Sequence, residues 1–533
     1  MPESFHSNLR LVQHSPALLA TLGSLQRGIE KESLRITRDA SLAMTPHPAS
    51  LGSALCHPRI TTDYSEALLE LITSVHQSVR GCLEELEAIH RFVYAALAQQ
   101  DEMLWTSSMP CRLGNPDEIP IARYGSSNVA QMKYIYRVGL GHRYGRAMQS
   151  IAGIHYNFSL SDRFWTHYHA AQSNGCSLQE FKTNHYFGLI RNFRRHVPLL
   201  IYLFGASPAL CRTFLQGRQH DLTSFDQHTL FREHATSLRM SDLGYQSSVQ
   251  EGLSVSYNSL AEYTRSLLHA ITQPIPAYEK IGLQDKNGEY QQLSTSLLQI
   301  ENEFYSPIRP KRVAASGEAP LNALARGGVE YVEVRCLDIN PFTPVGIDSE
   351  TIHFLDLFLL FCLFEESPLI LPEESARITH NLKEIVNRGR ADDCTLLCSQ
   401  GEIPFRQWAG KLLDSLKPLA ITLDSLHSAS AYQASLSAAA EKIHNPSLTP
   451  SAQILRIMRN ESIPYAGFAR HQSTLWAELF TTHRPSAAEV ALFTELAADS
   501  IAQQQAIERA STTPFAEYLH NFYRQYPQST GKP

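Results

Sequence analysis

The sequence predicts an α+β chain forming one catalytic unit, residues 1–533, with a mixed α/β body over about 10–345 and a mainly helical remainder over about 346–525. Three observations carry that reading. Short segments in the first part alternate apolar and polar residues with the period of a strand, and helical stretches lie between them. The later part keeps a helical period, as in the amphipathic "AEVALFTELAADSIAQQQAIERA". No internal repeat or flexible linker divides the chain, and the loop-like stretches "MPCRLGNPDEIP", "LQDKNGEY" and "SPIRPKRVAASGEAP" are rich in turn formers.

In chain order, "RGIEKESLRI" (Arg27 to Ile36) comes first and places Glu30 and Glu32 two residues apart. On a strand they share a face about 7 Å apart, where two carboxylates repel unless something positive sits between them. "TTDYSEALLELIT" reads as a strand end entering a helix, with Asp63 as its N-cap and Glu66 reaching back from the third position. That capping role accounts for Glu66 and keeps it out of any site. Glu70, inside a leucine-rich run, is harder to assign to structure, and its spacing from Asp63 puts both on one helical side. In "GIHYNFSL", His155, Asn157 and Ser159 share the face opposite Ile154, Tyr156, Phe158 and Leu160. A half-solvated strand explains that pattern as well as a site does.

"LQIENEFYSPIRPKR" sets Glu301, Glu303 and Tyr305 on one alternating face. The basic, proline-restrained loop that follows carries Arg309, Lys311 and Arg312, which either meet phosphates or are simply solvated. In "GGVEYVEVRCLDINPF", Tyr331, Glu333 and Arg335 oppose Val332, Val334 and Cys336, the pattern of a functional or a salt-bridging surface strand. "FLDLFLLFCLFEE" is far short of the roughly 20 apolar residues a spanning helix needs, and reads as a core helix despite Asp356. The tail "YPQSTGKP" is polar and expected to fray.

Composition excludes several classes. Hydrophobic residues at 43% and charged residues at 18% describe a globular chain, and a net charge of −6 gives no pull toward nucleic acid. The N-terminal "MPESFHSNLR" lacks the apolar stretch of a secretion signal, so the nine cysteines read as reduced cytoplasmic thiols. Only Cys394 and Cys398 are close enough in sequence to suggest a facultative disulfide, and no second Cys or His pair completes a zinc site. A P-loop is missing, and "GLGHRYG" is not a dinucleotide fingerprint. What remains is a surplus of carboxylates, one histidine and several arginines on strand faces. Carboxylates suit Mg²⁺, which keeps substrate phosphates as further ligands, so the inventory points to ATP-dependent chemistry on a sheet.

The stretches "QRGIEKESLRI", "ITTDYSEALLELIT", "GIHYNFSL", "YLFGASPALC", "TSLRMSDLGY", "LQIENEFYSPIRPKR" and "GGVEYVEVRCLDINPF" together resemble the proteobacterial glutamate–cysteine ligases, in order from about residue 10 to about 525. The resemblance implies a glutamine-synthetase-like fold, a curved and mainly antiparallel sheet forming a funnel with surrounding helices. It implies Mg²⁺ or Mn²⁺ as metal, ATP as co-substrate, and L-glutamate and L-cysteine as substrates of a monomer that needs neither nucleic acid nor membrane. The implied metal set is Glu30, Glu32, Asp63, Glu70, His155 and Glu333. Arg239 and Arg335 would hold glutamate or the transferring phosphoryl group. Tyr64, Tyr136, Tyr245 and Tyr305 would surround cysteine, with Tyr64 replacing a phenylalanine of a close relative. The implied reaction runs through γ-glutamyl phosphate to γ-glutamylcysteine, the first step of glutathione biosynthesis.

The competing readings are a ligase of the same superfamily with another amine, a metal-dependent hydrolase, and a binding protein that has lost catalysis. Every metal position of the family is filled, against the last. A bifunctional enzyme that also makes glutathione would need a further ATP-binding domain, for which the ligase body leaves no room.

Overall fold

The computed structural model describes residues 3–110, 112–172, 175–215, 217–244, 253–315, 317–427 and 429–526. Its strands in chain order are β1 (Gln26–Thr37), β2 (Ile60–Thr62), β3 (Leu68–Ile72), β4 (Glu102–Leu104), β5 (Ile154–Ser159), β6 (Ala209–Cys211), β7 (Thr223–Ser224), β8 (Thr229–Phe231), β9 (Ile308–Lys311), β10 (Tyr331–Leu337), β11 (Thr395–Cys398) and β12 (Gly401–Pro404). The main sheet is seven-stranded and open, in the order β2-β3-β1-β5-β10-β9, with β4 beside the far end of β1. Its pairings are antiparallel throughout. Strands β6 to β8 make a small separate sheet, and after residue 349 the chain is helical apart from the β11–β12 ribbon. This is the α+β architecture with a helical C-terminal part that the sequence predicts.

Three local expectations are corrected. "TTDYSEALLELIT" enters no helix: β2 and β3 form a hairpin in which the Asp63 N–H donates to the Leu68 carbonyl at 2.9 Å. The β-branched Ile60, Thr61 and Thr62 favour a strand, and pairing of β3 with β1 buries the leucine run that looked helical. Glu66 therefore caps nothing. Its two oxygens accept the backbone N–H groups of His47 and Arg123, each at 2.6 Å. The basic stretch "IRPK" is likewise no loop but the edge strand β9, which tolerates Pro310 because one side of an edge strand makes no ladder bonds. Glu301–Glu303 is a short 3-10 turn, so Glu301, Glu303 and Tyr305 do not share an alternating face.

The apolar face of the sheet (Ile29, Leu69, Leu71, Tyr156, Phe158, Val332 and Val334) is buried in one core cluster that includes the helix Ser349–Phe364. That helix is the core element the sequence predicts, and Asp356 within it is fully buried. Arg27 Nη2 reaches its carboxylate at 2.9 Å and the Tyr156 hydroxyl donates to it at 2.6 Å, which fixes β1 and β5 to the helix. Breaking such a pair by removing one partner costs about 3–5 kcal/mol. Lys31, between the two acids in sequence, also points into the core, where Nζ meets His90 Nε2 at 2.9 Å. Burial pulls the Lys31 ammonium down to about 7.

Cys394 is buried, Cys398 is exposed, and both are free thiols. Cys211 departs from the expectation of uniformly reduced cysteines, since it is disulfide-bonded. Among the described residues no helix is long and apolar enough to cross a membrane.

His57 orders the entry to the hairpin. Its Nδ1 accepts the N–H groups of Arg59 at 3.0 Å and Ile60 at 2.9 Å, so the ring must be neutral at that nitrogen. Burial, then the Arg59 charge, holds it down at about 4, and His47 is held at about 4 by burial, Arg35 and His57. The unfolded chain takes up these protons near the ordinary 6.5, so stability is intact above that pH and falls between about 6.5 and 4. Chemical denaturation across that window should show this loss, and His57→Asn, whose side-chain oxygen can still accept, should reduce it.

Candidate active site

Antiparallel register brings the strand-borne acids onto one sheet face. Glu32 of β1 lies opposite Glu70 of β3, Glu30 opposite His155 of β5, and Asn157 opposite Glu333 of β10. His155 Nδ1 is 3.2 Å from Glu30 and 4.0 Å from Glu333, and its Nε2 is 3.8 Å from Glu32. One donor atom each from Glu30, Glu70 and His155 falls within 4.8 Å of the others. Carboxylate oxygens with one imidazole form a donor set suited to a hard divalent cation.

The charges within the cluster are unevenly balanced. Burial opposes ionisation of Glu333, but Lys311 at 3.2 Å, Arg335 at 3.0 Å, His155 and Arg309 outweigh it and hold the carboxyl well below its usual range. Glu30 is also held low: its burial is outweighed chiefly by the His155 hydrogen bond, and Asn157 Nδ2 donates to it at 2.8 Å. Glu70 shows the opposite. Burial first, then the charges of Glu30, Asp63 and Glu32, push it well above the usual range. Glu32 is raised by burial and by Asp63, against the pull of His155, Arg239 and Arg335. Positive charge from outside the chain, placed between β1 and β3, would relieve this repulsion. The residues present fit a divalent metal there.

A cavity of about 120 Å³ adjoins the cluster, walled by Glu32, Asp63, Tyr64, Tyr136, Tyr305, Arg309 and Arg335 among others. Asp63 sits at the hairpin turn on the cavity wall, apart from the Glu30–Glu70–His155 set, and its backbone carbonyl accepts from the Tyr124 hydroxyl and Arg137. The Tyr64 hydroxyl is buried without a hydrogen-bond partner. Arg239 is 1% exposed; its Nη2 donates to the Arg335 carbonyl at 3.0 Å and its Nη1 is 3.6 Å from Asp338. It crosses so close over Gly153 that a Cβ there would lie 2.0 Å from Nη2 and would push the guanidinium aside. The same Gly153 donates its N–H to Glu32 at 2.7 Å. Tyr245 lies outside the described residues.

Comparison with known proteins decides the family. The family model for glutamate-cysteine ligase matches residues 10–385. The chain belongs to the glutamate–cysteine ligase family. The glutamate–cysteine ligase of Saccharophagus degradans is 49% identical over 532 residues, covering 99% of both chains, and that of Pseudomonas aeruginosa strain LESB58 is 49% identical over 503 residues, covering 94% of this chain and 95% of the relative. The crystal structure of the Francisella tularensis glutamate–cysteine ligase in complex with AMP superposes with a TM-score of 0.88 at 35% identity, covering 94% of this chain and 98% of that one. A bifunctional glutathione synthetase from Pasteurella multocida shares the fold at a TM-score of 0.73 and 23% identity, and the match spans 92% of this chain but only 58% of that chain. As a family member the protein is a ligase that forms a C–N bond, with ATP as co-substrate.

The structure gathers five of the acids and the histidine implied by the resemblance, together with Arg335, Tyr64, Tyr136 and Tyr305, around one sheet face and its adjoining cavity. Arg312 turns away to the carbonyls of Gly327 and Gly328. Asn157 was visible on its strand face but not singled out, although it stands two residues from His155. Arg137, Gln149 and Asn302 also line the cavity; Arg137 adjoins Tyr136 of the implied site and Asn302 stands within "LQIENEFYSPIRPKR", whereas nothing around Gln149 signals it.

Glu70→Gln separates the metal role from a structural one. Removing a buried like charge should raise the metal-free melting temperature by about 2–4 °C while abolishing most of the further rise produced by millimolar Mg²⁺. Thermal melts in chelator and in Mg²⁺ measure both; a lower melting temperature in chelator with the Mg²⁺ shift intact would remove Glu70 from the set.

Proposed function

We propose that this cluster and cavity join the γ-carboxylate of L-glutamate to the amino group of L-cysteine with ATP, giving γ-glutamylcysteine, ADP and phosphate. The observation that carries this reading is the adjacency of a hard-cation donor set to a cavity walled by hydroxyls and guanidinium groups. Glu30, Glu32, Asp63, Glu70, His155 and Glu333 would hold Mg²⁺ or Mn²⁺. Such an ion, when bound, offsets the charge of the phosphates that an anionic nucleophile must approach.

The remaining work falls to the chain's own groups. Glutamate's γ-carboxylate attacks the γ-phosphorus of ATP, which brings like charges together. Arg335 and Arg239, with Lys311 beside Glu333, hold anionic oxygens of glutamate and of the transferring phosphoryl group. The amine of cysteine then attacks γ-glutamyl phosphate, and phosphate leaves. Tyr64, Tyr136, Tyr245 and Tyr305 orient cysteine through its carboxylate. Burial keeps Tyr64, Tyr136 and Tyr305 above the usual phenol range, so they act as neutral donors rather than as bases.

The whole chain would act as one catalytic unit, since a single apolar core joins residues as far apart as Phe5, Ile29 and Phe522. We assign it to the cytoplasm, as a monomer acting on small molecules without a nucleic-acid or membrane partner. The net charge of −6 gives no pull toward nucleic acid.

The test is ADP release from Mg·ATP with both amino acids, then with each omitted. ADP release that requires both, with γ-glutamylcysteine formed in step, is expected; release with glutamate and another amine but not cysteine would displace the substrate assignment. Glu30→Gln and Glu32→Gln should each lower turnover by about 10³-fold or more at saturating Mg²⁺ while the chain still folds cooperatively. Near-normal turnover in either would remove that residue from the metal set.

A further inference from the structure

The acids of "ENEFY" do not join the strand-borne cluster, although Asn302, Glu303 and Tyr305 line the substrate cavity. Their carboxylates instead fasten the segment that carries them. Glu303 accepts from Arg143 Nη1 at 2.9 Å and the Tyr144 hydroxyl at 2.6 Å, both from the helix Asn128–Tyr144, and from the Gln299 N–H at 2.6 Å. Glu301 accepts from the Leu321 N–H at 2.6 Å with one oxygen and from the Tyr526 hydroxyl at 2.5 Å with the other.

Tyr526 follows the last helix, Phe515–Tyr523, and is 3% exposed, so the predicted fraying does not begin there; residues 527–533 lie outside the described ones. The same C-terminal stretch makes further bonds to this region. The Tyr523 hydroxyl donates to the Gln299 carbonyl at 2.8 Å, the Ala319 N–H to Gln525 at 2.9 Å, and Asn322 Nδ2 to the Gln525 carbonyl at 2.7 Å. The cavity wall at Asn302 and Tyr305 thus hangs on a turn held from one side by Arg143 and from the other by the end of the chain. Residues 299–306 pair with no strand of the main sheet, and the ladder to β10 begins only where the Arg335 N–H donates to the Pro307 carbonyl at 2.8 Å, so side-chain bonds take the place of strand pairing before it.

We propose that the C-terminal stretch Phe515–Tyr526 is a clamp on the substrate cavity, and that Tyr526, Tyr523 and Glu301 are positioning residues for the amine substrate. This rests on the reading of Tyr136 and Tyr305 as the cysteine pocket. None of the three lines the cavity; they act through the placement of Asn302 and Tyr305. A small displacement of a binding group weakens binding without touching the phosphoryl transfer behind it.

Steady-state kinetics of the full-length enzyme test the clamp. Tyr526→Phe keeps the ring and removes only the hydroxyl, and Tyr523→Phe does the same at the second bond. Each should raise KM for cysteine roughly three- to tenfold, with kcat within about twofold and KM for ATP unchanged. Glu301→Gln, whose amide can still accept from Leu321, should give a smaller rise than Glu301→Ala. Unchanged KM for both amino acids in the two Tyr→Phe variants would overturn the clamp, as would a fall in kcat tracking a lowered melting temperature. Tyr305→Phe, measured in parallel, keeps the two readings apart. If it raises KM for cysteine while Tyr526→Phe and Tyr523→Phe do not, the clamp fails and the pocket stands. If Tyr305→Phe and Tyr526→Phe both act on glutamate alone, the clamp stands and the amine assignment fails.

Discussion

Antiparallel pairing forces carboxylates together on one face of the main sheet, and the rest of the site answers to that constraint. Directly opposed residues on paired strands bring their side chains about 5 Å apart, where two unit charges at an effective dielectric near 20 repel by about 3 kcal/mol. Glu32 and Glu70 are such a pair, and Glu30 adjoins them on the same strand. The two halves of the cluster meet the repulsion differently. On the β10 side the chain supplies its own cations in Lys311, Arg335 and Arg309, and Glu333 stays ionised among them. On the β3 side the acids crowd one another, and Glu70 is driven well above its usual range. A bound cation has most to offset on that side.

Such a face persists only if the strands cannot slip, because a shift of one residue would exchange it for the apolar one. The opposite face supplies the anchors. Arg27 and Tyr156 both grip Asp356 of a core helix, and Lys31 is seated against His90 between the two acids of its own strand. Gly153 then lets the backbone of β5 approach so closely that Arg239 passes over it on the way to Arg335 and Asp338. Polar anchors in the core and one missing side chain at the rim therefore fix the positions of charges that would otherwise drift apart.

Period-two patterns were sufficient to read β1, β5 and β10, and with them the shared faces of Glu30 with Glu32, His155 with Asn157, and Glu333 with Arg335. Where the local pattern was ambiguous, tertiary pairing decided. The leucines of β3 fit a helix as well as a strand until β1 and β2 flank them, and Asp63 shifts from a helix cap to a hairpin turn. Pro310 made β9 look like a loop because nothing in the sequence says which strand is an edge. The meeting of Arg137, Gln149 and Asn302 in the cavity wall was illegible for a further reason. Those residues come from separate elements whose meeting depends on the whole fold, and none carries a periodic signature of its own.

The acids of the chain also show why spacing alone cannot assign a role. Glu30, Glu32, Glu301 and Glu303 present the same pattern, two carboxylates separated by one residue, yet the first pair lies on a strand and the second on a 3-10 turn. On the strand both carboxylates project from one face toward a space that other strands also fill with acids. On the turn they diverge, and each finds neutral or cationic donors that saturate its oxygens: Arg143, Tyr144 and the Gln299 N–H for Glu303, and Tyr526 with the Leu321 N–H for Glu301. Glu301 and Glu303, with their oxygens taken by protein donors, have little left to offer a metal, whereas Glu70, crowded chiefly by the charges of Glu30, Asp63 and Glu32, has most to gain from one. The partners available to each oxygen, rather than the motif that carries it, set Glu70 apart from Glu301 and Glu303.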